Sequence, residues 1–172
     1  MCLLRMRVLI FTSLGLLFTP VVTGSPSCPH GWYQHGSSCY VFIDGVLHSW
    51  TEAMSFCKGL SAKLVEIETR DENDFLQQHL QNMVHSHNYW IGLTDAIVEN
   101  EWLWISTQKE AQFTNWGLFQ PDNAQNMEDC ADIASFFPHG VWNDEDCDAK
   151  LHFICEKELK STPPFPVGNL VG

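Results

Sequence analysis

Apolar residues recur at helical spacing in two segments of the first half of the chain. Ser49 with Glu52, and Thr69 with Glu72, form the paired polar positions of a capping box ahead of each segment. The apolar positions that follow are Trp50, Ala53, Met54, Cys57 and Leu60 in the first segment, and Phe75, Leu76 and Leu80 in the second. The pattern predicts two helices, with Gly59 near the end of the first and a short strand at 64–67 between them.

The remaining apolar runs are short and strand-like. They lie at 89–93, 102–104, 131–133, 140–142 and 152–154, and the aromatic and turn residues at 28–42 are typical of a hairpin. Residues 106–129 show little periodicity and are rich in Asn, Gln, Asp and Glu. A loop of this length inside a compact domain is usually functional, so it is the first place to look for a site.

The ends of the chain predict processing and export. Arg5 and Arg7 precede an apolar run at 8–18, and small residues follow up to Gly24. We therefore expect a signal peptide at 1–24, one domain at 25–157, an extended Pro-containing tail at 158–172, and a secreted, extracellular product. A membrane anchor is the alternative, but it needs about 20 consecutive apolar residues.

The charge balance excludes some classes of binding partner. Nine basic and 21 acidic residues give a net charge of -12, and removal of Arg5 and Arg7 with the leader makes it -14. Such a surface repels phosphate backbones and anionic membranes, so we expect neither nucleic-acid binding nor membrane insertion. A 45% hydrophobic composition supplies enough apolar mass for a core.

The cysteines predict a disulfide framework. Six remain after the leader is removed, and an even number in an oxidising compartment favours three bridges over free thiols. Fifteen pairings are possible; Cys28 with Cys39 and Cys130 with Cys147 are the evident local closures. A structural zinc site is disfavoured because the sequence has no C-x2-C pair.

Side-chain oxygens concentrate in three short clusters. These are Gln120 to Asn123, Glu128 with Asp129, and Asn143 with Asp144. Carboxylate and amide oxygens suit a hard cation such as Ca²⁺, whereas zinc prefers nitrogen or sulfur. Solvated acidic loops are the alternative to a calcium site.

Several of these motifs occur together in an order that resembles a C-type lectin domain over about residues 28–157. They are Cys28-Pro29-x-Gly31-Trp32, the helix with Cys57, Trp90-Ile91-Gly92-Leu93, Gln120-Pro121-Asp122, Glu128-Asp129-Cys130, Trp142-Asn143-Asp144 and Phe153-Ile154-Cys155-Glu156. The resemblance implies an α+β fold of two helices, small antiparallel sheets and a long calcium-binding loop region. It also implies the pairs Cys28–Cys39, Cys57–Cys155 and Cys130–Cys147, and a cis peptide before Pro121.

The resemblance also implies ligands for two calcium ions. The sugar-bearing ion falls on Gln120, Asp122, Glu128, Asn143 and Asp144, which would also bind the carbohydrate. The auxiliary ion falls on Asp95, Glu99, Asn123, Glu128 and Asp129. We expect the first ion and regard the second as possible, since Asn123 offers a neutral amide where a carboxylate is more usual.

The order of the Gln-Pro-Asp triplet bears on sugar preference. Mannose-type relatives typically carry Glu-Pro-Asn, so the resemblance implies galactose or N-acetylgalactosamine here. Galactose-type relatives also place a Trp just after the triplet, where this chain has Ala124-Gln125. The residues that could supply a substitute surface are Phe119, Phe136, Phe137 and His139.

These observations predict a secreted calcium-dependent lectin that binds glycans on microbial or self surfaces in innate immunity, by agglutination or opsonisation. The alternative is an acidic extracellular-matrix or biomineralisation protein of the same fold. An enzyme is not expected, since neither H-E-x-x-H nor G-x-S-x-G occurs. Agglutination would need non-covalent homo-oligomers, because three bridges use all six cysteines.

Overall fold

The computed structural model describes residues 27–83, 87–134 and 140–159. The leader, the tail from residue 160, and Phe136, Phe137 and His139 lie outside the described residues. The helices are α1 (Trp50–Gly59) and α2 (Arg70–Gln81). The strands are β1 (Tyr33–His35), β2 (Ser38–His48), β3 (Lys63–Leu64), β4 (Asn88–Thr94), β5 (Leu103–Trp104), β6 (Lys109–Glu110), β7 (Cys130–Ala134), β8 (Trp142–Glu145) and β9 (Leu151–Glu158).

Both helices begin where the sequence predicts. Ser49 and Glu52 form a complete capping box on α1, each side chain bonding the other's backbone N–H. Thr69 caps α2, but the Glu72 carboxylate bonds the backbone N–H of Glu68 at 3.0 Å rather than that of Thr69. Its other oxygen accepts from Tyr40 Oη at 2.8 Å, so Glu72 ties α2 to β2.

The strands form one connected network. Its main path runs β1-β2-β9-β4-β5-β6, with β3 paired to β9 and β7 bridging β4 and β8. The pairs are antiparallel except β4 with β9, which are parallel at Tyr89 with His152 and Trp90 with Phe153. The α+β fold with two helices is confirmed.

Three disulfides hold this network together, with the pairing that the resemblance implied. Cys28–Cys39 and Cys130–Cys147 close short loops of 11 and 17 residues. Cys57–Cys155 spans 98 residues and joins α1 to β9. The two halves of the domain are therefore covalently linked at its core.

Tryptophans fill the core, and three of them, Trp50, Trp90 and Trp142, donate their indole N–H to partners there. Trp90 and Trp142 are fully buried. The indole N–H of Trp142 donates to Asn73 Oδ1 at 2.8 Å, and that of Trp50 donates to the Ile91 carbonyl at 2.8 Å. These bonds fix the orientation of the rings, as buried indoles require.

Gly92 allows β4 to approach the chain after β3. A Cβ at this position would lie 3.0 Å from the Leu64 carbonyl oxygen and 3.2 Å from that of Val65. The Gly92 N–H donates to the Val65 carbonyl at 2.7 Å. The Val65 N–H still donates to the Ile154 carbonyl of β9 at 2.9 Å, while the Val65 carbonyl turns to β4. The strand predicted at 64–67 is therefore observed as β3 over two residues, Lys63–Leu64.

The long region at 106–129 is mostly irregular, as expected, but it is anchored to the core. It contains β6, a 3-10 turn (Ala124–Asn126) and a single bridge from Trp116 to Trp142. The rings of Phe113 and Trp116 lie edge-on to Trp142, with centroids 5.7 and 5.8 Å away. The loop is thus held against β8 where the acidic residues occur.

Across the described residues, the two helices are both too short and too polar to cross a lipid bilayer.

Candidate functional site

Three carboxylates from separate parts of the chain converge beside the loop. Asp122, Glu128 and Asp144 each place one oxygen within 4.8 Å of the others. Asp144 lies on β8 and is 1% exposed, Glu128 is half-buried, and Asp122 is exposed. All three were predicted ligands of the sugar-bearing cation.

Backbone N–H groups of the loop hold two of these carboxylates in place. Asp144 accepts from the N–H of Asp122 at 3.1 Å and from that of Asn123 at 2.7 Å. Glu128 accepts from the N–H of Ala124 at 2.9 Å, and its own N–H donates to Asn123 Oδ1 at 3.1 Å. The loop backbone therefore positions the carboxylates of Asp144 and Glu128.

The backbone takes uncommon conformations around this cluster. The Gln120–Pro121 peptide is cis, as expected. Asn123, Gln125 and Asn126 have φ of 40°, 60° and 56°. Asn visits this left-handed region more readily than most residues, and Asn123 begins the 3-10 turn that leads to Glu128.

Gln120 presents an oxygen without a partner. Its Oε1 atom is buried and accepts no hydrogen bond from the described residues. A buried acceptor left unpaired costs about 1–3 kcal/mol, and a cation would satisfy it. This orphan oxygen lies two residues before Asp122 in the chain, and an amide oxygen is a ligand that a hard cation accepts.

Asn143, the fifth predicted ligand, lies on β8 beside Asp144 and is half-buried. Its Nδ2 donates to Asp132 Oδ2 at 3.2 Å and also contacts the Asp144 backbone carbonyl. The sequence-predicted set of Gln120, Asp122, Glu128, Asn143 and Asp144 therefore draws on one loop and one strand.

The charges in the cluster oppose one another. Burial raises the pKa of Glu128, and the carboxylates of Asp144, Glu145 and Asp122 raise it further, while the Ala124 N–H acts in the opposite direction. A divalent cation would offset this repulsion. The donor set is composed of oxygen atoms, so it fits Ca²⁺ and not a thiophilic metal.

The auxiliary ligands are less closely assembled. Asn123 Nδ2 donates to Glu99 Oε2 at 2.8 Å, which joins two of them. Asp95 is 3% exposed, and its Oδ2 accepts from the Asn100 N–H at 2.9 Å while its Oδ1 has no partner among the described residues. Burial raises the pKa of Asp95, and the charges of Glu99 and Asp129 add to the effect.

The predicted auxiliary ligands thus differ from the predicted ligands of the sugar-bearing ion in two respects. Within the described part of the chain, the triad of mutually close acids excludes Asp95, Glu99 and Asp129. The amide of Asn123 is already engaged at both ends, by the Glu128 N–H and by the Glu99 carboxylate. The arrangement supports a first cation more strongly than a second.

Sequence reasoning missed Asp132. This residue is fully buried on β7, and burial raises its pKa to about 7, although the side chains of Asn143 and Asn88 lower it. The available signal was an acid between Ala131 and Ile133 in an otherwise apolar strand.

Two large apolar side chains project from the loop just before the triplet. Leu118 is 84% exposed and Phe119 is 83% exposed. Phe119 was one of the predicted substitutes for the missing Trp, and its exposure leaves its ring available. Phe119 lies inside the turn at 117–120, in which the Gln120 N–H donates to the Gly117 carbonyl at 3.1 Å.

Comparison with known proteins identifies the family. The family model of the lectin C-type domain matches residues 46–157. The chain belongs to the C-type lectin domain family. It is 37% identical to perlucin of Haliotis laevigata over 131 residues, which is 76% of this chain and 83% of that protein.

Other C-type lectins are similar as well. Asialoglycoprotein receptor 1 of Mus musculus is 38% identical over 135 residues, which cover 77% of this chain but 45% of the receptor, so the chain spans less than half of that relative. The carbohydrate-recognition domain of the mouse scavenger receptor C-type lectin superposes with a TM-score of 0.69 at 35% identity, covering 79% of this chain and 100% of that domain. The C-type lectin CEL-I of Cucumaria echinata has a TM-score of 0.70 at 26% identity, covering 77% and 99%.

Proposed function

We propose that this C-type lectin is secreted and binds galactose or N-acetylgalactosamine through a calcium ion held by Gln120, Asp122, Glu128, Asn143 and Asp144. The observation that carries the proposal is the convergence of three carboxylate oxygens within 4.8 Å of one another, and the buried, unpartnered oxygen of Gln120 supports it. The family supports the same function, because its domains bind carbohydrate.

Five side chains and one backbone carbonyl leave room for ligand oxygens, since Ca²⁺ accepts about six to eight. When bound, the ion supplies coordination for two neighbouring sugar hydroxyls. The side chains then determine which hydroxyls fit, because amides can donate hydrogen bonds whereas ionised carboxylates only accept them. Asp122 and Glu128 are the acceptors, and Gln120 is the donor beside them.

The position of donor and acceptor within the triplet supports galactose-type sugars. Gln120 places the amide before Pro121, and Asp122 places the carboxylate after it. Monosaccharide binding should be weak, around millimolar, because a single sugar buries little surface. Agglutination or opsonisation of microbial cells would need several sites held together, so we infer that the protein self-associates without covalent bridges.

The direct test is chromatography of the mature, disulfide-intact protein on immobilised galactose. We expect retention in calcium, release by a chelator or free galactose, and no release by free mannose. Absence of retention while calorimetry still detected bound calcium would reject galactose recognition. Absence of calcium binding would reject the site itself.

A matched variant separates specificity from folding. The double substitution Gln120→Glu with Asp122→Asn exchanges the amide and the carboxylate while it preserves charge and size. We expect this variant to bind calcium, to lose retention on galactose and to be retained on mannose. Retention on galactose equal to that of the wild type would show that the triplet does not set the preference.

An acidic matrix or mineral-binding protein is the second candidate, and the net charge of -12 favours it. It predicts adsorption to calcium carbonate that free galactose does not prevent. Adsorption without any sugar-dependent retention would favour this candidate over the lectin.

A further inference from the structure

Asp132 is a carboxylate enclosed within the sheet. It lies opposite Asn143 of β8 on one side and opposite Trp90 of β4 on the other. It is 0% exposed, and every residue of β7 is buried. Asp132 and Asn143 are cross-strand partners, so their side chains lie on the same face of the sheet.

The fold gains little from an acid in this place. Asp132 Oδ2 accepts from Asn143, but Oδ1 accepts no hydrogen bond from the described residues. An unpaired buried acceptor costs about 1–3 kcal/mol, and burial of a charge costs more. An apolar side chain would serve the packing better, so the contribution of Asp132 is sought in its contacts with the Asn143 and Asn88 side chains, of which Asn143 alone belongs to the predicted ligand set.

Two acceptors hold the NH₂ end of the Asn143 amide, namely Asp132 Oδ2 and the Asp144 backbone carbonyl. Asp132 Oδ2 accepts from Nδ2 at 3.2 Å, and this bond disfavours the alternative orientation, in which the acceptor Oδ1 would face the Asp132 side chain. The oxygen of the amide is then left for a cation, which would be repelled by the NH₂ group.

We propose that Asp132 is a positioning residue for the candidate calcium site, which acts by fixing the orientation of the Asn143 amide. The inference rests on the proposed function and assigns to that site a residue outside the predicted ligand set. Because Asp132 is buried, it touches neither solvent nor sugar directly. Its effect reaches the site through Asn143.

The first test is Asp132→Asn, which keeps the shape of the side chain but lets the facing amide bond in either orientation. Loss of a partner that orients a metal ligand typically costs 10–100-fold in metal affinity. We expect calcium affinity, measured by calorimetry, to fall by about 10-fold or more. Asp148→Asn, an exposed acid outside the cluster, is the control for loss of one charge and should leave calcium affinity within about twofold of the wild type.

A second measurement, of stability without calcium, distinguishes a structural role of Asp132 from a positioning role. Urea unfolding in chelator reports the stability of the cation-free protein. Because Asp132→Asn removes a buried charge, we expect stability equal to or above that of the wild type. Lower stability in chelator together with unchanged calcium affinity would show that Asp132 is merely structural, and would overturn the proposal.

The double variant Asp132→Asn with Asn143→Asp gives the sharpest discrimination. The new amide on β7 can donate to the new carboxylate on β8, and a carboxylate presents oxygen to a cation in either orientation. We expect calcium affinity to recover to within about threefold of the wild type, well inside the loss expected for the single variant. A double variant as weak as Asp132→Asn would overturn the positioning role.

The outcomes distinguish this inference from the proposed function. If wild-type protein bound no calcium, both would fall. If wild-type protein bound calcium and Asp132→Asn bound it equally well, the calcium site would stand and the role of Asp132 alone would be rejected.

Discussion

Neutralising Asp122 should change stability in opposite directions with and without calcium. Its carboxylate lies within 4.8 Å of those of Glu128 and Asp144. Two unit charges at this separation repel by about 0.9 kcal/mol in water, and by about 3.5 kcal/mol at an effective dielectric constant of 20. Since Asp122 is exposed, the smaller value applies to each pair.

Asp122→Asn therefore removes about 1–2 kcal/mol of repulsion from the cation-free protein. Calcium has the reverse effect, because it stabilises the folded state by RT ln(1 + [Ca²⁺]/Kd). Wild-type protein at 100 times its Kd gains about 2.7 kcal/mol, and a variant whose Kd is 100-fold higher gains about 0.4 kcal/mol under the same conditions.

The assay is urea unfolding of both proteins in chelator and in calcium, with Asp148→Asn as a variant that loses one exposed charge elsewhere. We expect Asp122→Asn to be more stable than the wild type in chelator and less stable in calcium. A variant that was less stable in chelator would refute the repulsion, and an undiminished calcium-dependent gain would refute the role of Asp122 as a ligand.

Three further predictions concern the scaffold. Replacing Cys57 and Cys155 together by Ala should cost about 4.7 kcal/mol of unfolding free energy, since the bridge closes a loop of 98 residues. A loss below about 2 kcal/mol in urea unfolding would contradict this prediction. Lys63→Met should cost about 2 kcal/mol of unfolding free energy at pH 7, because the Lys63 ammonium lies 2.8 Å from the fully buried Glu66 carboxylate. An unchanged free energy of unfolding would show that the ion pair does not stabilise the fold. Burial lowers the pKa of His79, so the contribution of the neutral imidazole to stability is complete above about pH 6.5 and is lost as the pH falls through the folded pKa. The unfolding free energy of His79→Phe should therefore fall less between pH 7 and 5 than that of the wild type. An equal fall in the two proteins would show that another group causes the acid sensitivity.

Local signals in the sequence predicted the helices well because they act over three or four residues. The Ser49 capping box depends only on neighbouring backbone, and the structure reproduces it completely. At α2 the same signal located the start, but Glu72 bonds Tyr40, which is 32 residues away in sequence. The spacing of residues along the sequence does not predict tertiary contacts of that kind.

In the candidate site, too, the sequence predicts the local clusters but not the tertiary contacts. Its acids could be predicted because they occur as short polar clusters with a known family order, and the structure brings Asp122, Glu128 and Asp144 together. Asp132 could not be predicted, because its significance depends on the β7–β8 register that places it opposite Asn143. Sequence alone gives an acid in an apolar strand and no partner for it.

The most direct test of the central claim is a calorimetric titration of methyl galactoside into the mature protein at saturating calcium, repeated with methyl mannoside and again after chelation. We expect millimolar binding of galactoside, at least tenfold weaker binding of mannoside, and no heat of binding once calcium is removed. Galactoside binding that persisted in chelator would contradict a sugar site built on the Gln120, Asp122, Glu128, Asn143 and Asp144 cluster.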